Sequence, residues 1–154
     1  SIPLIFICKY TVFIGIYQKI YMPKSSTKTI HKKQNEDNTK VLTECILSSL
    51  EEKKAEDIIE MDFSAKGGNL FDKFVICTAT SNIHAGALCE EVVKKVREKL
   101  NVKPKHTEGE SNAQWILIDY FNIIVHIFLK DKRAFYDLEN LWNDTALIIR
   151  RNNI

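Results

Sequence analysis

Two pairs of residues in this 154-residue chain have the types and spacing that could do chemistry. Ser81 and His84 lie three apart, which invites a hydrolase in which imidazole activates a hydroxyl. No GxSxG turn surrounds Ser81, however, and two residues at one helix start cannot by themselves make a triad. Glu108 and Glu110 are paired acids, the kind of group that holds cations in two-metal phosphoryl transfer. They sit on a loop with no glycine-rich phosphate turn in front, and the chain has no DxD. His31, His84, His106 and His126 show no HExxH spacing, and Cys8, Cys45, Cys77 and Cys89 form no CxxC pair. No metal or cofactor is expected, and the cysteines read as reduced, buried thiols. His126 lies mid-strand between Val125 and Ile127 and reads as a hydrogen-bonded structural histidine ahead of a catalytic base. The residues point to a binding domain rather than an enzyme, with a nucleotide-binding or nucleotidyltransferase-like enzyme as the alternative.

The elements that must position these groups are organised around the stretch from Trp115 to Trp142. Trp115–Ile118 and Ile123–Leu129 are β-branched and aromatic runs, and the four-residue break between them, with Asp119 and Asn122 at its ends, suits a hairpin on a type I turn. Ala134, Phe135, Leu138, Leu141 and Trp142 then recur at helical spacing, predicting one amphipathic helix. Upstream, a helix capped by Thr39 should carry Leu42, Cys45, Ile46 and Leu50. Residues 57–63 alternate as a half-buried strand with Ile59, Met61 and Phe63 on one face. Phe74–Ala79 is a continuous apolar run, expected to be a central strand covered on both faces. Ser81 should cap a helix over 82–100 whose opposite, charged face is a solvated surface. A short strand is expected around Lys105–Thr107, and residues 144–154 are expected to form a tail that adds a final turn or packs loosely. The fold class is α/β, one domain with a mixed sheet flanked by helices.

Charge divides the chain. Residues 1–40 carry seven lysines against Glu36 and Asp37, a net +5, whereas residues 41–154 carry 15 basic and 18 acidic groups, a net −3. The acidic domain favours a protein or small-molecule partner over nucleic acid, with no direct DNA binding expected. Residues 2–22 are strongly apolar, but Lys9 and Lys19 break them into runs too short for a stable membrane span. Residues 23–40 are basic and hydroxyl-rich. That order resembles a bipartite leader to a secondary plastid, with a mitochondrial leader as competitor. The expected division is a leader or disordered segment at 1–39, a domain at 40–143 and a tail at 144–154. Trp115, an aromatic at the start of an edge hairpin beside an acidic loop, has the makings of an interface anchor, with burial in the core as the alternative.

Taken in register, several short motifs point to a family. They are Asp57-Ile58-Ile59 with Asp62, Val75-Ile76-Cys77-Thr78 with Thr80-Ser81 and His84, and Glu108-Gly109-Glu110. Trp115-Ile116 with Asp119, Ile124-Val125-His126, and Arg133, Tyr136, Leu138-Glu139, Leu141-Trp142 complete the set. Over Val41 to Trp142 the chain resembles the ribosomal silencing factor family, also called Iojap-like proteins. The resemblance implies a fold similar to nucleotidyltransferases without their active site. It also implies docking on the large ribosomal subunit, on the protein numbered fourteen at the intersubunit face, which hinders the small subunit from joining. Organelle members are tied to large-subunit assembly. On that reading Trp115 and Tyr120 supply apolar anchoring, Asp119, Glu108 and Glu110 meet basic groups on the partner, and Ser81 and His84 shape the adjacent helix start. Such a factor would be a monomer or homodimer. Three departures bear on the binding face: Ala79 stands where the family commonly has Gly, Ile83 where an Arg usually precedes the His, and Tyr120-Phe121-Asn122 replaces a Gly-containing turn.

Overall fold

The computed structural model describes residues 32–66 and 71–151; the apolar segment and most of the expected leader lie outside them. Residues 32–39, placed within the expected leader or disordered segment, are helical. Helix α1 spans Lys32–Glu52. Thr39 is therefore not its cap but lies two turns inside it, 7% exposed, its carbonyl accepting the Thr43 hydroxyl at 2.7 Å. The helix ends where Lys54 turns to φ 59° and the Ala55 N–H reaches back to the Leu50 carbonyl.

Among the described residues six strands form one sheet: β1 (Glu56–Asp62), β2 (Lys73–Ala79), β3 (His106–Glu108), β4 (Trp115–Asp119), β5 (Ile123–Leu129) and β6 (Leu147–Arg150), in the order β3-β4-β5-β2-β1-β6. Within these six strands β2 and β5 run parallel and the other neighbours are antiparallel. The hairpin and the short strand at His106 stand where the residue pattern puts them. The tail does not: residues 147–150 pair with β1 from Ile59 to Asp62. The sheet thus extends past residue 143. Arg151 fixes that end, its guanidinium reaching Glu44 at 2.7 Å and Glu51 at 3.2 Å on α1.

Helix α2 (Asn82–Leu100) follows β2. Its Ala85, Leu88, Val92 and Val96 pack with Ile46, Leu47 and Leu50 of α1 onto one face of the sheet, over Val75, Cys77, Ile116, Val125 and Ile127. Full burial of each such aliphatic chain contributes about 1.5–3 kcal/mol. The other face is aromatic. Phe63, Phe71, Phe74 and Trp142 meet with centroids 4.5–6.1 Å apart, mostly edge-on. Strand β1 is covered on both sides, with Ile58, Ile59, Glu60 and Met61 all buried, rather than half-buried.

The single helix expected over Ala134–Trp142 is two: α3 (Lys130–Tyr136) and α4 (Leu138–Leu141), broken where Asp137 adopts φ 48°. The break turns the apolar stripe. Leu138 is buried while Phe135 is 42% exposed. Cys45, Cys77 and Cys89 are free and buried, and burial pushes the Cys77 and Cys89 thiols up to about 12, so neither is a nucleophile near neutral pH. No described helix is long and apolar enough to cross a membrane.

Candidate partner-binding surface

Trp115 opens β4 opposite Phe128 of β5. Its indole stacks on Phe128 at 4.9 Å and lies against Tyr136 at 4.5 Å. Tyr136 in turn meets Phe135 edge-on at 5.1 Å. The result is an aromatic strip that starts on the sheet, passes through the half-buried Trp115 and Tyr136, and ends at the exposed Phe135 on α3. Trp115 is thus both core and surface. Residue pattern alone hid the exposure of Phe135 because an unbroken helix would have turned it inward.

His126, two residues from Phe128 along β5, is 1% exposed, and its Nδ1 accepts the Trp115 indole N–H at 3.1 Å. Accepting at Nδ1 leaves the hydrogen on Nε2 of a neutral ring. Burial lowers its pKa to about 3, so it cannot serve as a base that cycles through the cation near neutral pH.

The hairpin turn places two expected contact residues inside. Asp119 is 0% exposed, with Oδ1 accepting the Phe121 N–H at 2.7 Å. Tyr120 is 3% exposed in the α1–α2 core, and burial raises its hydroxyl pKa. Neither can meet a partner in this conformation. The cause is the turn: the Asn122 N–H donates to the Tyr120 carbonyl around Phe121 at φ 72°, a three-residue turn rather than a type I turn. Phe121 is left 61% exposed.

Glu110 is exposed on the loop before β4, while Glu108 is part-buried, with Oε1 2.7 Å from Nε2 of His106. Between them Gly109 has φ 83°, and a Cβ there would collide with the Trp115 carbonyl oxygen. Only glycine lets this loop cross the backbone of Trp115. The loop is also tied to α2, because Asn82 Nδ2 donates to the Asn112 carbonyl at 2.6 Å.

Ser81 caps α2 as expected, accepting the His84 N–H at 3.1 Å. His84 does not face Ser81 as a base would. Its Nε2 donates to the Lys53 carbonyl at 2.7 Å, and its Nδ1 accepts the Thr80 N–H at 3.0 Å. The ring staples α2 to the end of α1. Beside it Ile83 is 87% exposed. Arg133, which the residue pattern did not single out as a support, donates to the Asp57 carbonyl (2.7 Å), Thr78 Oγ1 (2.8 Å) and Glu139 (2.8 and 3.0 Å). It pins the strip-bearing α3 to β1, β2 and α4. Among the described residues no group of three His, Cys, Asp or Glu side chains could hold a metal ion.

This frame has known relatives. The family model described as "Ribosomal silencing factor during starvation" matches residues 35–153. The chain belongs to the ribosomal silencing factor family. A silencing factor of Halalkalibacterium halodurans is 36% identical over 108 residues, covering 70% of this chain and 90% of its own. Among solved structures, a crystal structure from Chromobacterium violaceum superposes with a TM-score of 0.64 at 33% identity, covering 68% of this chain and 85% of the other. Two further relatives carry organelle names. Protein Iojap, chloroplastic, of Zea mays is 35% identical over 75 residues, covering 49% of this chain and 32% of its own. The mouse mitochondrial assembly of ribosomal large subunit protein 1 is 34% identical over 76, covering 46% and 32%. The silencing-factor match begins within α1 and runs through β6, in keeping with both elements being part of the folded unit.

Proposed function

We propose that this chain binds the large ribosomal subunit, on the ribosomal protein numbered fourteen at the intersubunit face, and by its bulk hinders the small subunit from joining. The observation that carries the reading is the strip Trp115–Tyr136–Phe135, held from below by His126, Phe128 and Arg133. Half-buried aromatics on a rigid bed are the composition of an interface anchor. Exposed Ile83 and Glu110 flank the same end of the sheet, and the acid suits a basic protein partner. The factor acts by occupancy rather than chemistry: Ser81 and His84 are used in the α2 start, and His126 is held neutral. Family membership, with relatives named for chloroplast and for mitochondrial large-subunit assembly, supports work on an organelle ribosome. The apolar-then-basic order of residues 2–40 favours a plastid.

The test is a titration of the full chain against purified large-subunit protein fourteen at two salt concentrations, followed by sedimentation of mixed subunits. Micromolar or tighter binding, weakened in Phe135→Ala and Trp115→Ala with the fold intact, together with fewer joined ribosomes, is the expected result. Wild-type protein that neither binds nor reduces joining would sink the proposal.

A further inference from the structure

We propose that the C-terminal end of α2 and its connection to β3 form an RNA-binding surface, taking phosphates on lysine and arginine and a base on Phe121. Charge is the first observation. Residues 94–105 hold Lys94, Lys95, Arg97, Lys99, Lys103 and Lys105 against Glu98 alone, a net +5 in twelve residues. The rest of residues 41–154 carries nine basic and 17 acidic groups, a net −8. A mildly acidic domain thus hides a strongly basic segment, the electrostatic footprint of a polyanion partner.

Exposure is the second. Lys95 is engaged with Glu52 at 3.3 Å and Glu91 at 3.7 Å. Lys94, Arg97, Lys99 and Lys103 are all exposed and make no ion pair among the described residues. Of the acids in the helix's first half, Glu91 is paired with Lys53 and Lys95, and Glu90 makes no ion pair among the described residues.

The third observation is an aromatic beside the cations. The Lys105 N–H donates to the Asp119 carbonyl at 2.7 Å, fastening the connection to the hairpin turn, and its ammonium sits 4.9 Å from the Phe121 ring. Leu100 and Val102 line one groove with Phe121, so the end of α2 and the turn share a surface. An exposed ring among cations is how single-stranded or looped RNA is held, by stacking plus backbone charge. This surface lies at the opposite end of the β4–β5 hairpin from Trp115, so a protein and an RNA could be gripped at once.

The experiment is fluorescence anisotropy of the full chain with a labelled single-stranded oligouridine RNA across a salt series, with inorganic polyphosphate of matched length as competitor. Affinity should fall linearly in log–log with salt. Lys99→Glu with Lys103→Glu should weaken binding about tenfold or more and shallow the slope by about 0.7 for each lost phosphate contact. Phe121→Ala should weaken binding several-fold with the slope unchanged, and Lys130→Glu with Lys132→Glu should change little. Affinity unaffected by reversal at Lys99 and Lys103 would place any RNA binding elsewhere, in the basic N-terminal residues for example, and overturn the proposal. Polyphosphate competing as well as RNA, with indifference to Phe121, would overturn the RNA assignment.

Discussion

The indole Nε1–H of Trp115 donates to Nδ1 of His126 at 3.1 Å, a diagonal pair across β4 and β5. One end of this bond is half-exposed on the aromatic strip and the other is fully buried. His126 also stands edge-on to Phe74 at 4.7 Å, so the bond links the surface strip to the aromatic core. In His126→Phe a ring remains but the acceptor is lost. The unpaired indole N–H should cost about 1–3 kcal/mol in stability, read by denaturant unfolding. In a double-mutant cycle on affinity for the ribosomal protein, His126→Phe should weaken the wild type but add nothing in a Trp115→Phe background, which has no N–H to lose. Equal losses in both backgrounds would show that His126 acts only through general packing.

The same histidine sets a pH dependence. Its folded pKa, about 3, is depressed below the usual 6.5 by burial, so the unfolded chain binds the proton first as pH falls. The stability it allows is fully present above pH 6.5 and is lost between about 6.5 and 3, at up to about 1.4 kcal/mol per pH unit. Unfolding of wild type and His126→Phe across that window should show the variant losing less stability on acidification. Parallel curves would mean that the folded ring takes up a proton as readily as the unfolded one.

How much of this was legible in the residues depends on which force decided each element. Ser81, α2, β2 and the hairpin follow from caps and apolar period, and they form where those signals put them. The start of α1 was hidden because residues 32–38 are polar and show no period; the helix is continued from a packed C-terminal half. Asp119 and Tyr120 read as surface residues because a polar tetrapeptide usually is one. They are buried because Phe121, a non-glycine residue, takes a positive φ and turns outward in their place. The split at Asp137 is likewise a left-handed residue without the glycine that would announce it, and its consequence is the exposed Phe135. Strand β6 is four residues long, and its place is settled by pairing with a distant partner, β1.

Glycine substitution separates two positions that look alike in sequence. Gly86, inside α2, has open space within 4 Å of where an alanine methyl would sit, so Gly86→Ala should stabilise by about 0.5–1 kcal/mol through helix propensity. Gly109→Ala must meet the Trp115 carbonyl at a positive φ, and should cost well over about 1 kcal/mol while displacing the loop that crosses the Trp115 backbone. Thermal unfolding with tryptophan fluorescence would read both, and a neutral Gly109→Ala would mean that the loop can move away freely.

Arg133 carries the last prediction. Its side chain is 11% exposed and its donors are distributed over Asp57, Thr78 and Glu139, three different elements. Arg133→Lys keeps the charge but cannot reproduce the fork, because an ammonium is a point donor. Loss of the fork leaves the part-buried Glu139 and the Asp57 carbonyl poorly satisfied, so Arg133→Lys should destabilise by roughly 2 kcal/mol and Arg133→Leu by more. The informative readout is local. Because α3 carries Tyr136 and Phe135, amide hydrogen exchange over residues 130–136 should rise in Arg133→Lys before the core of β2 and β5 loosens. Exchange that rises uniformly across the sheet would instead make Arg133 a support of the whole fold, and any fall in ribosome binding could then not be traced to the strip.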